Sequence, residues 1–107
     1  MALPRSHLQV LLALADGDRH GYAIMRSAEE NGDRLGPGAL YTALGRLLDA
    51  ALIEELDERP APDLDDSRRR YYRITRTGRA ALVEELAGLQ SVLDRATAAG
   101  VWSPGPA

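Results

Sequence analysis

Apolar residues recur along this chain at two different periods, and the change between them falls near Leu52. Leu8, Leu11, Leu12 and Ala15 step at helical spacing and predict a first helix over residues 5 to 15, which Asp16-Gly17-Asp18 ends. A second helix is predicted from Gly21 to Glu30, with Tyr22, Ile24, Met25 and Ala28 as its apolar positions and His20 helping its start. Asn31-Gly32 stops it, because both residues tolerate a left-handed backbone. A third helix opens at Pro37, where a missing N–H costs nothing in the first turn. Leu40, Ala43, Leu44, Leu47, Leu48 and Ala51 make up its apolar face.

Beyond that point the pattern shortens. LIEELDER (52–59) and RRRYYRIT (68–75) tolerate extended structure, and the loop PAPDLDDS (60–67) between them makes a hairpin. Proline ends its first strand near Arg59. In the second strand Arg69, Tyr71 and Arg73 share one side, while Tyr72 and Ile74 share the side that faces the core. Thr75 or Thr77 then caps a fourth helix. In it Leu82, Leu86, Leu89, Leu93 and Ala96 step by 4, 3, 4 and 3, a seam of two heptads. The order is three helices, two strands and a long helix. The expected fold is mainly α with a small β-hairpin: a winged helix-turn-helix followed by a long C-terminal dimerisation helix. Residues 1–79 would form the DNA-binding part and residues 80–107 the dimerisation helix and tail, within one compact domain.

One side of the third helix carries Gly38, Thr42, Gly45, Arg46 and Asp49, without an apolar side chain. A solvated helix face would look similar, but Gly45 costs about 1 kcal/mol against alanine inside a helix and solvent gives no reason for it. The second helix of a helix-turn-helix enters the major groove, where glycines permit close approach. There Thr42 can meet a phosphate or a thymine methyl, and Arg46 a guanine or a phosphate. Asp49 would repel phosphate and is expected to point past the duplex.

Charge bears on the same question through its placement. The net charge of 107 residues is −3, yet all 13 basic residues are arginine and six of them lie between Arg68 and Arg79. Arg68, Arg69 and Arg70 are candidates to neutralise phosphates beside the groove-reading helix. Pairing with the acids of EELDE (54–58) competes with that role. The acidic loop segment DLDD (63–66) would be repelled by DNA and is expected to stay clear of it or to be mobile.

Taken together, HGYAI (20–24), GALYTALGRLLDAALIEE (38–55) and RRRYYRITRTGRAAL (68–82) resemble the PadR family of bacterial transcriptional regulators. The resemblance covers roughly residues 8 to 86 and runs through the family's motifs in order. Thr42 departs from it where proline is common, and Ala51 where glycine is frequent. The resemblance implies a winged-helix dimer that binds a promoter, usually as a repressor and often released by a small molecule. It also implies Tyr41 near the phosphate backbone, with Gly38, Thr42 and Arg46 at the groove, and Tyr22 in the packing around the second helix.

A three-helix body cannot cover a fourth helix of this length, so Leu82, Leu86, Leu89 and Leu93 are expected at the seam of a homodimer. Packing of the seam against the first helix is the alternative. Twofold symmetry would make the DNA site a pseudo-palindrome. Trp102, just past this helix, is a candidate to stack on a flat effector, against which the SPGPA tail after it suggests an unpacked end.

Catalysis is not expected. His7 and His20 have no metal-ligand spacing, Glu54 and Glu55 alternate across a strand, and no phosphate-binding glycine loop is present. No metal or cofactor is therefore expected. There is no cysteine, the longest apolar run is too short for a bilayer, and MALPRSHLQ does not read as a signal peptide, so a cytoplasmic protein is expected. A winged helix that binds a protein partner instead of DNA is the competing class.

Overall fold

Each amphipathic stretch folds against the first helix. A computed structural model, which describes residues 2–56 and 70–105, contains in chain order α1 (Arg5–Ala15), β1 (Arg19–His20), α2 (Gly21–Glu30), α3 (Pro37–Asp49), β2 (Ile53–Glu55), β3 (Tyr71–Ile74) and α4 (Arg76–Ala98). Helix α1 packs against α2, α3, α4 and β3, which is why it buries more than one stripe: Leu8, Val10, Leu11, Ala13 and Leu14. Leu12, expected among its inward positions, is exposed, and Val10 and Leu14 take the interior instead. In α2 the inward residues are Ile24 and Ala28. Tyr22, expected in the packing, lies on the surface, where the Arg26 guanidinium sits 6.0 Å from its ring centre. A large amphipathic ring is stable there because its face meets a cation and its hydroxyl stays wet.

The sheet has three antiparallel strands in the order β1-β3-β2, so the expected hairpin gains a third, two-residue strand. Arg19 pairs with Tyr72 and His20 with Tyr71 on one side of β3; Ile53 pairs with Ile74 and Glu54 with Arg73 on the other. Tyr72 and Ile74 face the core as their parity predicts. The expected end of the first strand at Arg59, and the loop after it, lie outside the described residues.

Three helices end in the same hydrogen-bonded turn. After α3, Ala51 N–H donates to Leu48 O at 3.0 Å and Leu52 N–H to Leu47 O at 2.9 Å. Gly32 and Gly100 occupy the equivalent position after α2 and α4, with φ of 82° and 75°. Such a turn requires a left-handed residue, and glycine takes that conformation without a Cβ penalty. Ala51 takes it at φ 58°, the one non-glycine residue with positive φ among the described residues. The glycine that the family resemblance leads one to expect would relieve this strain. Ala51→Gly should raise stability by about 1 kcal/mol, measured as an upward shift of the thermal unfolding midpoint at fixed protein concentration.

Candidate nucleic-acid interface

Helix α3 starts from Gly36, whose extended backbone leads into Pro37 at the first helical position. Its inner face, Leu40, Ala43, Leu44 and Leu47, is fully buried. That burial fixes the rotation of the helix and turns Gly38, Tyr41, Thr42, Gly45, Arg46 and Asp49 outward, where all six are exposed. No neighbouring atom lies within 4 Å of where a Cβ on Gly38 or Gly45 would stand. Nothing in the described subunit therefore requires glycine at either place.

Tyr41 is 62% exposed, and its hydroxyl lies 3.9 Å from where a Gly21 Cβ would stand, beside the first residue of α2. His20 caps that helix, its Nδ1 accepting from Ala23 N–H at 3.2 Å, in the helix-starting role expected for it. The His20 ring meets Tyr71 edge-on at 5.3 Å, which ties the start of α2 to the sheet. The juxtaposition of Tyr41 with the α2 terminus joins two segments about 20 residues apart, and no local pattern announces it. Arg46 makes no ion pair among the described residues. Its charge is felt at His7 on α1, where partial burial and then the Arg46 charge hold the imidazole below the ordinary histidine range.

The strand arginines are differently placed. Arg70 Nε lies 3.5 Å from Glu55 Oε1, with 72% of the Arg70 side chain exposed. Arg73 lies 3.5 Å from both Glu54 and Asp18. The acid-pairing alternative is thus realised at these two positions, and Asp18, which the sequence offered only as a helix terminator, supplies one of the partners. Burial and then Glu55 push the Tyr72 phenol up, so this inward-facing group stays protonated. Arg68, Arg69 and the acidic loop segment lie outside the described residues.

Helix α4 starts at Thr75, the first of the two expected caps, whose Oγ1 accepts from Gly78 N–H at 3.0 Å. Leu82, expected at a subunit seam, is buried in its own subunit instead, because the first two turns of α4 lie against α1. Leu86, Leu89 and Leu93 extend past the body and remain 38–40% exposed, with Val83 and Val92 beside their row. Trp102 is exposed beyond the Gly100 turn. Among the described residues no helix is long and apolar enough to cross a membrane, and no group of three or more histidine, cysteine or acidic side chains is placed to hold a metal.

Comparison with known proteins places this arrangement. The sequence profile of the transcriptional regulator PadR-like family matches residues 10–84. A transcriptional regulator of Mycobacterium tuberculosis is 37% identical over 86 residues, which are 79% of this chain and 76% of that protein. An uncharacterized 37.1 kDa transposon protein of Streptomyces fradiae is 43% identical over 81 residues; they are 75% of this chain but only 21% of that relative, so the likeness spans about a fifth of its length. Among solved structures, a PadR family transcription regulator from Clostridium difficile shares the fold at TM-score 0.77 and 22% identity, over 88% of this chain and 96% of that one. A PadR family transcriptional regulator from Eggerthella lenta superposes at TM-score 0.66 with 26% identity, over 82% of this chain and 77% of its own. With its three-helix body, three-stranded sheet and long last helix, this chain belongs to the PadR-like family of transcriptional regulators.

Proposed function

We propose that this chain is a DNA-binding repressor that grips a pseudo-palindromic promoter site as a homodimer. The observation that carries the proposal is the outward face of α3: Gly38, Tyr41, Thr42, Gly45 and Arg46 stand exposed on a helix whose inner face is buried, with two glycines that no neighbour within the described subunit requires. In the complex, Arg46 and Thr42 read base edges, the glycines let the helix backbone close on the groove, and Tyr41 donates to a phosphate beside the α2 terminus. Arg68, Arg69 and Arg70 supply sequence-independent phosphate contacts. The acids that hold Arg70 and Arg73 make those two weaker contributors, since a pair must open before the guanidinium can reach a phosphate.

Gel shifts over a salt series test this reading, with a duplex selected by the protein from a random pool and a scrambled duplex of the same composition. The wild type should retain the selected duplex preferentially, with an affinity that falls steeply as salt rises. Arg46→Ala should lower the preference by on the order of 10-fold, and Arg69→Ala should weaken both duplexes alike and reduce the salt slope by about 1. A wild type without preference would leave the chain as a winged-helix module for a protein partner.

The exposed row on α4 supports the dimer. Its 23 residues measure about 34 Å at helical rise, and only its N-terminal part, with Gly78 and Leu82, is buried against the body. Leu86, Leu89 and Leu93 of two copies would cover one another there. Leu86→Arg combined with Leu93→Arg should give a monomer in analytical ultracentrifugation and weaken operator binding by roughly 100-fold or more, because each half-site is then held alone. A flat small-molecule effector that stacks on Trp102 would act at the ends of the same seam.

A further inference from the structure

Asp33 ties the segment that leads into α3 to the first helix. It follows the Gly32 turn, and its own N–H donates to Ala28 O at 2.9 Å, so the backbone at this point is fixed to the end of α2. Its carboxylate reaches across to α1. Arg5 Nη2 donates to Oδ2 at 3.0 Å and to Oδ1 at 3.2 Å, and Arg5 Nε donates to Oδ2 at 3.3 Å. Gln9, one turn further along α1, donates to Oδ2 through Nε2. The Asp33 side chain is 23% exposed, whereas Arg5 is 74% exposed. Two residues on, Leu35 is buried, and Gly36 then starts α3.

The energetic value of this set lies in geometry more than in stability. Arg5 is largely in water, and exposed ion pairs add little to the folding free energy. A planar guanidinium held by both carboxylate oxygens, with an amide bonded to one of them, nevertheless fixes position and angle well. Helix α1 has neither a side-chain cap nor an acidic residue in its first turn, and Asp33 brings negative charge to that positive end. The same helix packs against both α3 and α4. Base readout requires the reading helix to be held to within about 0.5 Å, so a bond that fixes its lead-in segment bears directly on discrimination.

We propose that the Arg5–Asp33–Gln9 clasp is a positioning device that holds the lead-in of α3 against α1 and thereby sets sequence discrimination. It rests on the DNA-binding reading above and concerns residues that lie outside the exposed α3 face. The test is fluorescence anisotropy at one salt concentration on the selected and scrambled duplexes, with unfolding midpoints measured alongside. Asp33→Ala should weaken binding to the selected duplex by on the order of 10-fold. Binding to the scrambled duplex should hold or tighten slightly, because a negative charge has gone. Arg5→Ala should act in the same direction, and the double variant should be no worse than Asp33→Ala, because both remove one interaction. A role confined to stability would lower the midpoint and leave the ratio of the two affinities unchanged in the folded protein, and that result overturns the proposal. If Asp33→Ala is unfolded at the assay temperature, Arg5→Gln, which leaves the carboxylate and its Gln9 bond, decides the matter by the same ratio. A wild type that binds both duplexes alike overturns the regulator reading and this inference with it. A wild type that discriminates, with clasp variants that discriminate equally, overturns this inference alone.

Discussion

Gly78→Ala should cost about 3 kcal/mol or more and lower the thermal midpoint by roughly 12 °C or more, the largest loss of stability expected from adding one carbon to this chain. A Cβ on Gly78 would stand 1.9 Å from the Leu52 carbonyl oxygen and 2.9 Å from Ile74 Cγ1. The nearer atom is backbone and has no rotamer to change. That carbonyl already accepts from Thr75 N–H at 3.1 Å, and Thr75 Oγ1 lies 2.7 Å from Ala51 O as donor to it. The methyl group must therefore push the first turn of α4 away from the segment between α3 and β2. The displacement breaks both bonds and loosens the Thr75 cap on Gly78 N–H. A domain of this size has only about 5–15 kcal/mol of stability to lose, so the variant should be partly unfolded near physiological temperature. Circular dichroism melts at fixed protein concentration measure the effect. A midpoint within a few degrees of wild type would show that α4 does not dock on Leu52 as described.

Gly78 also shows what the sequence makes visible. In the sequence it is a glycine before Arg79, three residues after a capping threonine, and its spacing gives no hint of what it touches. Only the fold brings Leu52 O to it across 26 residues of chain, as it brings Arg79 Nη2 to Ala15 O at 2.7 Å. The helices were legible because a hydrophobic face is a periodic property: the inner face of α3, Leu40, Ala43, Leu44 and Leu47, is the one its 3.6-residue period draws. The caps at His20 and Thr75 were legible because they are local chemistry. Strand β1 was not, since two residues, Arg19 and His20, cannot show a period, and their pairing with β3 is a property of the partner. Tyr22 departs from the pattern for a related reason: the pattern counts an aromatic ring as apolar, while Arg26 one turn away gives it a stable surface position. At the candidate interface, composition separated the α3 face from the core, and the tertiary neighbours that hold it, Asp33 with Arg5 and Tyr41 with α2, were beyond any local rule.

Gly45→Ala should do the opposite of Gly78→Ala to stability and should harm binding. A Cβ here meets nothing within 4 Å, in the middle of a helix whose other face is buried. Alanine should therefore stabilise the free protein by about 1 kcal/mol, the ordinary helix-propensity difference. The same methyl group points toward the proposed duplex. If the α3 backbone closes on the groove at Gly45, the added carbon must lift the helix or displace a base contact, and affinity for the selected duplex should fall by on the order of 10-fold. Gly45→Leu, still a good helix former, should deepen that loss to roughly 100-fold without unfolding the protein. A higher melting midpoint with weaker DNA binding cannot come from general damage, since damage lowers both. It arises only if the atom that completes the helix in water is the atom that obstructs its partner. Gel shifts and melts on the same preparations decide between the two uses of this surface. Variants that melt higher and bind the selected duplex as wild type does would mean that the bare side of α3 faces solvent even in the complex.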